Sequence, residues 1–144
     1  MALIDKNLVQ DWLDAWNAHD VDKALGFYTD DCLYESVGGT GVTGHGKKEL
    51  APYLKNMFTD YPDFKLEWKN AFYSENAVCG EFVLTGTQAN NTSNPAIPVT
   101  GKRFSVRGSY FSEWQNNKVK RHSIYEDYLT ILGQLGLMPG NPSK

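Results

Sequence analysis

The sequence predicts an α+β fold in which helices come first and long antiparallel strands follow. Apolar residues recur every three or four positions between Leu3 and His19 and again between Lys47 and Thr59, which is typical of amphipathic helices. From Phe64 onward, apolar and polar residues alternate instead, as in a half-buried strand. Helices grouped before long strands favour α+β over a parallel α/β sheet. At 144 residues, the chain is expected to form one domain over 1–144.

The predicted helices have local start and stop signals. The first helix carries a single apolar stripe, so it can lie over a sheet. Asp20 is a good N-cap for a second, short helix, and the sequence Tyr61-Pro62-Asp63 stops the third. Between the second and third helices, Cys32 to Val37 is predicted to form a short strand, and the glycine-rich segment 38–46 a loop.

Two hairpins account for the second half of the chain. The first joins 64–72 to 78–84, and the second joins 104–114 to 119–128 around a two-residue turn at Asn116-Asn117. The loop from Gln88 to Thr100 lies between the hairpins and contains two prolines. Its length makes it a candidate lid over one end of the sheet.

Composition and charge argue against several classes of partner. The net charge is −3 with acids and bases interspersed, so no basic face can follow the phosphates of a nucleic acid. Neither a long apolar run nor a leader-like start occurs, so we expect a cytoplasmic protein without a membrane segment. Cys32 and Cys79 lack CxxC spacing and are expected to be free thiols. The three histidines are isolated from other ligand-type residues, so no metal site is predicted.

The turn at Asn116-Asn117 fixes the predicted register of the second hairpin. Counting back from it places Tyr110 opposite Ser123 and brings Asp127 onto the apolar face that holds Tyr110 and Tyr125. A carboxyl group in apolar surroundings has a raised pKa and can act as a proton shuttle. The alternative is that Asp127 caps a last helical turn that begins directly after it.

The same register assigns other polar residues to structural pairs. Arg107 faces Glu126 on the opposite side of the hairpin, which provides an ion pair, and His122 lies on that side too. Glu81 is likewise paired with a lysine across the first hairpin. Asn70 would lie among aromatic side chains, where either a buried hydrogen bond or a ligand contact explains it.

The aromatic residues have two alternative uses, because they can fill the core or line a ligand pocket near the open end of the sheet. The candidates are Trp12, Trp16, Tyr28, Tyr34, Phe58, Trp68 and Tyr110.

Three segments together resemble the SnoaL-like polyketide cyclases of the nuclear transport factor 2-like superfamily, over almost the whole chain. They are Trp12-Leu13-Asp14-Ala15-Trp16-Asn17-Ala18-His19-Asp20, the central hairpins, and Tyr125-Glu126-Asp127 through Gln134-Leu135-Gly136-Leu137. The spacing between Asp127 and Gln-Leu-Gly is similar to that of the SnoaL-type branch.

The resemblance implies a cone-shaped, curved antiparallel sheet wrapped by the N-terminal helices into an α+β barrel, with an interior pocket, no cofactor and a homodimer formed through the sheet. It also implies that Asp127 is the acid/base of an intramolecular aldol ring closure. A histidine assists in such cyclases, and His122 is the candidate if a β-bulge brings it to the face of Asp127. The residues expected to bind a small apolar or aromatic ligand are Trp16, Tyr34, Trp68, Asn70, Tyr110 and Tyr125.

Four functions are compatible with these residues, because one fold hosts many activities. The first is a cofactor-free cyclase or isomerase acting on a small apolar carbonyl compound, and the second is a non-catalytic small-molecule carrier or sensor. The third, an epoxide hydrolase-like enzyme, needs an Asp-Arg-Asp arrangement, which the predicted position of Arg107 argues against. The fourth is a structural dimer module that pairs through Phe111, Ile124 and Tyr128.

Overall fold

The computed structural model describes residues 2–38 and 41–138. It has an α+β fold, as predicted, with helices packed against a curved sheet. The helices are α1 (Lys6–Asn17), α2 (Val21–Leu25), α3 (Lys47–Asp60) and α4 (Tyr128–Leu135). The strands are β1 (Tyr28–Val37), β2 (Thr43–His45), β3 (Lys65–Trp68), β4 (Phe72–Tyr73), β5 (Ala77–Thr87), β6 (Arg103–Gln115) and β7 (Lys118–Glu126).

The sheet is mixed rather than purely antiparallel, and it does not close into a barrel. Its strand order is β2-β1-β7-β6-β5-β3, with β4 paired to β5. The β1 and β7 strands run parallel, and the other pairs are antiparallel. A parallel pair needs a long connection between its strands, and here almost the whole chain between β1 and β7 provides it. The predicted α+β fold with a curved sheet is confirmed, and the sheet differs from the expected antiparallel barrel in its parallel β1–β7 pair and its open edges.

Aspartate side chains cap the N-termini of α1, α2 and α4. The Asp5 side chain accepts from the backbone N–H of Asn7 at the start of α1, and Asp20 accepts from Lys23 at the start of α2. The predicted cap at Asp20 is therefore confirmed. A side chain in this position satisfies a backbone donor that the helix itself leaves unpaired.

The glycine-rich segment 38–46 is only partly a loop. Residues 39–40 lie outside the described residues, but β2 forms a short strand that pairs with β1. The first predicted strand is also longer than expected, because β1 begins at Tyr28 rather than Cys32. Cys32 and Cys79 are free thiols, as predicted. No helix in the described part of the chain is long and apolar enough to cross a membrane.

A β-bulge interrupts the pairing of β6 with β7 shortly after the turn. Trp114 pairs with Val119, as predicted, but Glu113 pairs with Arg121, so Lys120 is an extra residue in β7. Side chains alternate between the two faces of a sheet. One extra residue therefore moves the rest of β7 onto the face opposite to the predicted one.

The bulge overturns the predicted faces of β7. Tyr110 lies opposite Ile124, not Ser123, and the residues of β7 that share its inner face are His122, Ile124 and Glu126. The β6–β7 pairing ends at Glu126, which lies opposite Gly108.

The predicted pair between Arg107 and Glu126 is wrong for the same reason. Arg107 instead faces Val83 of β5, and its guanidinium lies 3.6 Å from the Glu81 carboxylate at the surface. The predicted outer patch also changes, because Ile124 is buried on the inner face.

Candidate functional site

A chamber of about 100 Å³ lies between the inner face of the sheet and helices α1, α3 and α4. Most of its wall is aromatic or aliphatic. Its aromatic residues are Trp16, Tyr34, Tyr53, Tyr61, Phe64, Phe82, Phe104 and Tyr128. An apolar cavity of roughly 150 Å³ can bind benzene, so a ring-sized group fills this smaller chamber and extends beyond it.

Glu126 supplies the one ionisable acid among the described residues that line the chamber. It is the last residue of β7 and is half-buried. The Ser36 hydroxyl donates to its Oε1 at 3.4 Å, but burial dominates and raises the pKa of the Glu126 carboxyl. A carboxyl group in such apolar surroundings is suited both to take up and to release a proton on a bound ligand.

Two tyrosine hydroxyls lie in the same chamber. The Tyr34 hydroxyl is 3.5 Å from that of Tyr53, and both rings line the wall. Burial raises the pKa of Tyr53 to about 12 and the pKa of Tyr34 well above 10. Both hydroxyls therefore keep their protons, and because the Tyr34 hydroxyl donates to that of Tyr53, the Tyr53 hydroxyl is the one that can donate to a ligand oxygen.

His122 lies at the closed end, behind the chamber. Its Nδ1 is 2.9 Å from the Tyr28 hydroxyl, which also accepts from Trp12 Nε1 at 3.2 Å. His122 is 4 % exposed, and desolvation lowers its pKa from 6.5 to about 3. The imidazole is therefore neutral at physiological pH. It lines a small void of about 10 Å³ rather than the chamber itself.

Asp127 lies outside the chamber, which contradicts its predicted position on the apolar face. It follows the end of β7 and caps α4, where it accepts from the Thr130 backbone N–H at 3.1 Å and from the Thr130 hydroxyl at 2.6 Å. These hydrogen bonds lower the pKa of the Asp127 carboxyl. The capping alternative is thus what the structure shows, and Asp127 is an ionised residue at the surface.

The predicted ligand-binding residues divide into three groups. Trp16 and Tyr34 line the chamber. Trp68 and Tyr110 stack at 4.7 Å between ring centroids and line the void beside His122.

The third group lies outside both cavities. Asn70 donates to the Glu81 carboxylate at 2.9 Å and accepts from its backbone N–H at 2.8 Å, so it ties the strand connection together at the surface. Tyr125 is 43 % exposed, because the bulge turns it to the outer face. The predictions that placed Asn70 and Tyr125 on the apolar face are wrong.

A larger vestibule of about 630 Å³ adjoins the chamber. Tyr53, Met57, Tyr61, Tyr128 and Ile131 line both cavities. One wall of the vestibule is apolar and comes largely from α4, and the opposite wall is rich in side-chain amides.

The predicted lid loop provides most of this amide wall. The buried Asp60 carboxylate holds the loop, because it accepts from the Thr92 backbone N–H at 2.7 Å and from the Thr92 hydroxyl at 2.9 Å. The backbone carbonyl of Asp60 also accepts from Ala89 and Asn90. In this structure the loop is therefore an anchored wall of the vestibule.

Comparison with protein families matches residues 6–135 to the SnoaL-like polyketide cyclases. The chain belongs to the SnoaL-like polyketide cyclase family. A comparison with curated proteins finds no match.

Solved structures share the SnoaL-like fold of this protein. AclR, a proposed hydroxylase from Streptomyces galilaeus, is 21 % identical with a TM-score of 0.76, over 96 % of this chain and 88 % of that one. A Catenulispora acidiphila protein with a ketosteroid isomerase-like fold, solved in complex with trimethylamine, is 16 % identical with a TM-score of 0.77. The match covers 96 % of this chain and 98 % of that chain. A proposed polyketide cyclase from Xanthomonas campestris is 19 % identical with a TM-score of 0.72. The match covers 90 % of this chain and 94 % of that chain. At these identities the likeness shows the fold alone.

The site of this SnoaL-like protein includes residues that the sequence pattern did not reveal. The sequence pattern pairs Glu126 with Arg107, and it gives no signal that Ser36 or Tyr53 lies at the site. Ile124 does indicate which face of β7 is buried, because a strongly apolar residue in this strand favours the inner face. Placing Ile124 inward places Glu126 inward as well, since the two are separated by two positions.

Proposed function

We propose that this SnoaL-like protein catalyses cofactor-free proton transfer on a small apolar carbonyl compound, as in a cyclisation or an isomerisation, with Glu126 as the acid/base. The observation that carries the proposal is a single carboxyl group in an otherwise aromatic and aliphatic chamber. Family membership supports the reaction class. The family-implied assignment of this role to Asp127 is replaced, because Asp127 lies at the surface as a helix cap.

The proposed reaction starts with the ionised form of Glu126. Its carboxylate takes a proton from the carbon next to the carbonyl group, and the resulting enolate oxygen accepts a hydrogen bond from Tyr53, whose hydroxyl oxygen accepts in turn from Tyr34. In a cyclisation the enolate carbon attacks a second carbonyl carbon, and Glu126 returns the proton to the new alkoxide. In an isomerisation Glu126 returns the proton to another carbon. The narrow chamber holds the reacting atoms close together.

His122 has no proton-transfer role in this proposal, because it lines the void and not the chamber. Its hydrogen bond to Tyr28 instead fixes polar groups at the closed end. The catalytic role that the resemblance implies for His122 stays a prediction, and it requires a substrate that reaches the void.

Hydrogen–deuterium exchange at the carbon next to a ketone tests the proposal without knowledge of the natural substrate. The probes are indanone and tetralone in deuterated buffer, followed by proton NMR. The wild-type protein should accelerate exchange above the buffer rate, and Glu126→Gln should reduce that acceleration by about 100-fold or more. Asp127→Asn is the matched control, because it changes a neighbouring carboxyl group outside the chamber. Loss of exchange in Asp127→Asn with full activity in Glu126→Gln would reject the proposal.

A non-catalytic carrier or sensor is the second candidate, and the same enclosed chamber favours it. Saturable binding of both ketones without any accelerated exchange would support this function. An epoxide hydrolase-like activity is not supported, because no arginine lines the chamber among the described residues and Arg107 lies at the surface. The homodimer and the cytoplasmic location stay predictions.

A further inference from the structure

Gln88 is a buried side chain with an unused hydrogen-bond donor that faces the vestibule. It is 3 % exposed and lines this cavity. Its side-chain Oε1 accepts from the Thr100 backbone N–H at 3.0 Å and from the Thr100 hydroxyl at 3.0 Å. A backbone N–H can only donate, so the carbonyl end of the amide is the one held by Thr100. The Nε2 group thus points away from Thr100, and no acceptor for it occurs among the described residues.

The Gln88 Nε2 group has no partner among the described residues and stays accessible, so an acceptor atom of a ligand in the vestibule can bond to it. Asn56 of α3 also lines the vestibule, is half-buried and has no side-chain hydrogen bond within residues 2–38 and 41–138. The Asn90 and Asn91 side chains donate to the backbone carbonyls of Thr59 and Ile97, and Asn94, whose Nδ2 has no partner among the described residues, lies on the exposed part of the loop. Gln88 is the buried amide of this wall with an unused donor, and our inference is based on it.

The charges around both cavities restrict the ligand further. Glu126 and Asp60 are the ionisable acids of the chamber and the vestibule, and no Lys, Arg or His lines either cavity in the described part of the chain. An anionic group on the ligand would find no cation to pair with and would approach two acids. The free donor of Gln88 therefore suits a neutral acceptor oxygen better than a carboxylate.

We infer that the substrate is a neutral, elongated molecule with an apolar, ring-sized end in the chamber and an acceptor oxygen, such as an ester or hydroxyl oxygen, bound by Gln88 Nε2 in the vestibule. This inference rests on the proposed function for the assignment of the ligand as a substrate. The binding part of the inference stands on the geometry of the two adjoining cavities. Gln88 is a specificity-determining residue, and it takes no part in proton transfer.

Calorimetric titration with matched probes tests this assignment. The neutral probes are the methyl esters of phenylbutanoate, phenylhexanoate and phenyloctanoate, which place the ester oxygen at three distances from the ring. The free carboxylates and the corresponding phenylalkylammonium ions serve as charged analogues. The wild-type protein should bind at least one ester more tightly than the carboxylate and the ammonium ion of equal length.

Two substitutions of Gln88 separate its donor from its role in the loop. Gln88→Met removes the donor and should weaken ester binding by about 2- to 10-fold while binding of the ammonium ion is unchanged. Gln88→Glu keeps an oxygen for Thr100 but replaces the donor by an acceptor, so the preference should move from the ester to the ammonium ion. Thr100→Val removes one of the two bonds to Gln88 without changing the amide nitrogen, and it should keep the ester preference.

The outcomes decide between the two proposals. Equal losses for ester and ammonium ion in Gln88→Met, or no ester preference at any length in the wild type, would overturn the inference. Equilibrium binding does not require turnover, so Glu126→Gln should keep the preference for the ester over the ammonium ion, while its preference over the carboxylate should fall because one of the two acids is removed. If that variant also keeps full deuterium exchange, the acid/base proposal fails while the binding assignment stands.

Discussion

Acid is expected to destabilise this protein through His122 before most carboxyl groups titrate. In the folded chain the pKa of His122 is lowered from 6.5 to about 3, because burial disfavours the charged imidazole. The unfolded chain binds a proton at this residue below about pH 6.5, whereas the folded chain does not until about pH 3. The unfolded state thus binds more protons in this interval, so the free energy of unfolding must fall as the pH falls.

The size of the effect follows from the difference in proton binding. Each pKa unit corresponds to about 1.4 kcal/mol. Between pH 7 and pH 5, the unfolded histidine changes from mostly neutral to mostly protonated while the folded one stays neutral, and integration gives a loss of about 2 kcal/mol. This interval lies above the pKa of ordinary carboxyl groups. The raised pKa of Glu126 acts in the opposite direction, but it is common to the wild type and a His122 variant.

Urea unfolding at pH 7, 6 and 5, followed by tryptophan fluorescence, measures the loss. Trp12 and Trp16 are buried beside His122 and report on its surroundings. His122→Asn retains an acceptor for the Tyr28 hydroxyl and removes the titrating group. Between pH 7 and pH 5, the free energy of unfolding of this variant should therefore fall by about 2 kcal/mol less than that of the wild type. His45→Asn, at an exposed residue, is the control and should keep the wild-type dependence. Identical pH dependence in His122→Asn and wild type would refute the reasoning.

Three further predictions concern stability. Asp127→Ala removes the cap of α4 and should lower the Tm by about 3 to 5 °C with deuterium exchange retained; a stable variant without exchange would instead assign Asp127 to catalysis. Gly133→Ala in α4 should raise the free energy of unfolding by about 0.5 to 1 kcal/mol, because a Cβ there meets only Met138 Cγ at 3.7 Å. Gly108→Ala should lower it by about 1 to 3 kcal/mol, because its Cβ would lie 2.6 Å from Phe82 Cζ. Chemical denaturation of Gly133→Ala and Gly108→Ala measures these two changes in the free energy of unfolding, which should have opposite signs. Changes of the same sign would contradict the packing argument.

The parts of the fold that depend on local signals could be predicted from the sequence. Asp20 begins α2 because an aspartate caps a helix by a bond within its own turn. Asn116 and Asn117 form the turn between β6 and β7 because asparagine tolerates the positive φ angles that they adopt, 50° and 61°. Both features depend on neighbours in sequence.

The candidate site was harder to predict because it depends on pairing across the sheet. The extra residue at Lys120 is followed by Arg121, and two adjacent charged residues give no break in the alternation that would reveal a bulge. The parallel partner of β1 lies at the other end of the chain, so no local pattern could show that Tyr34 and His122 are opposite each other. An aromatic pocket on the inner face of the sheet was predicted correctly, but the acid inside it was not.

The bulge at Lys120 also has an evolutionary consequence. A regular register that kept Lys120 in the ladder would turn Glu126 outward and bring Asp127 onto the inner face, whereas deletion of Lys120 would leave Glu126 opposite Gly108 and inward. The acid that faces the chamber therefore depends on whether β7 keeps its bulge as well as on residue type. Two homologous chains of equal length, one with the bulge and one without it, would place acids from different alignment columns at the same point in space. Transfer of a catalytic residue between such chains must follow the sheet register and not the sequence alignment.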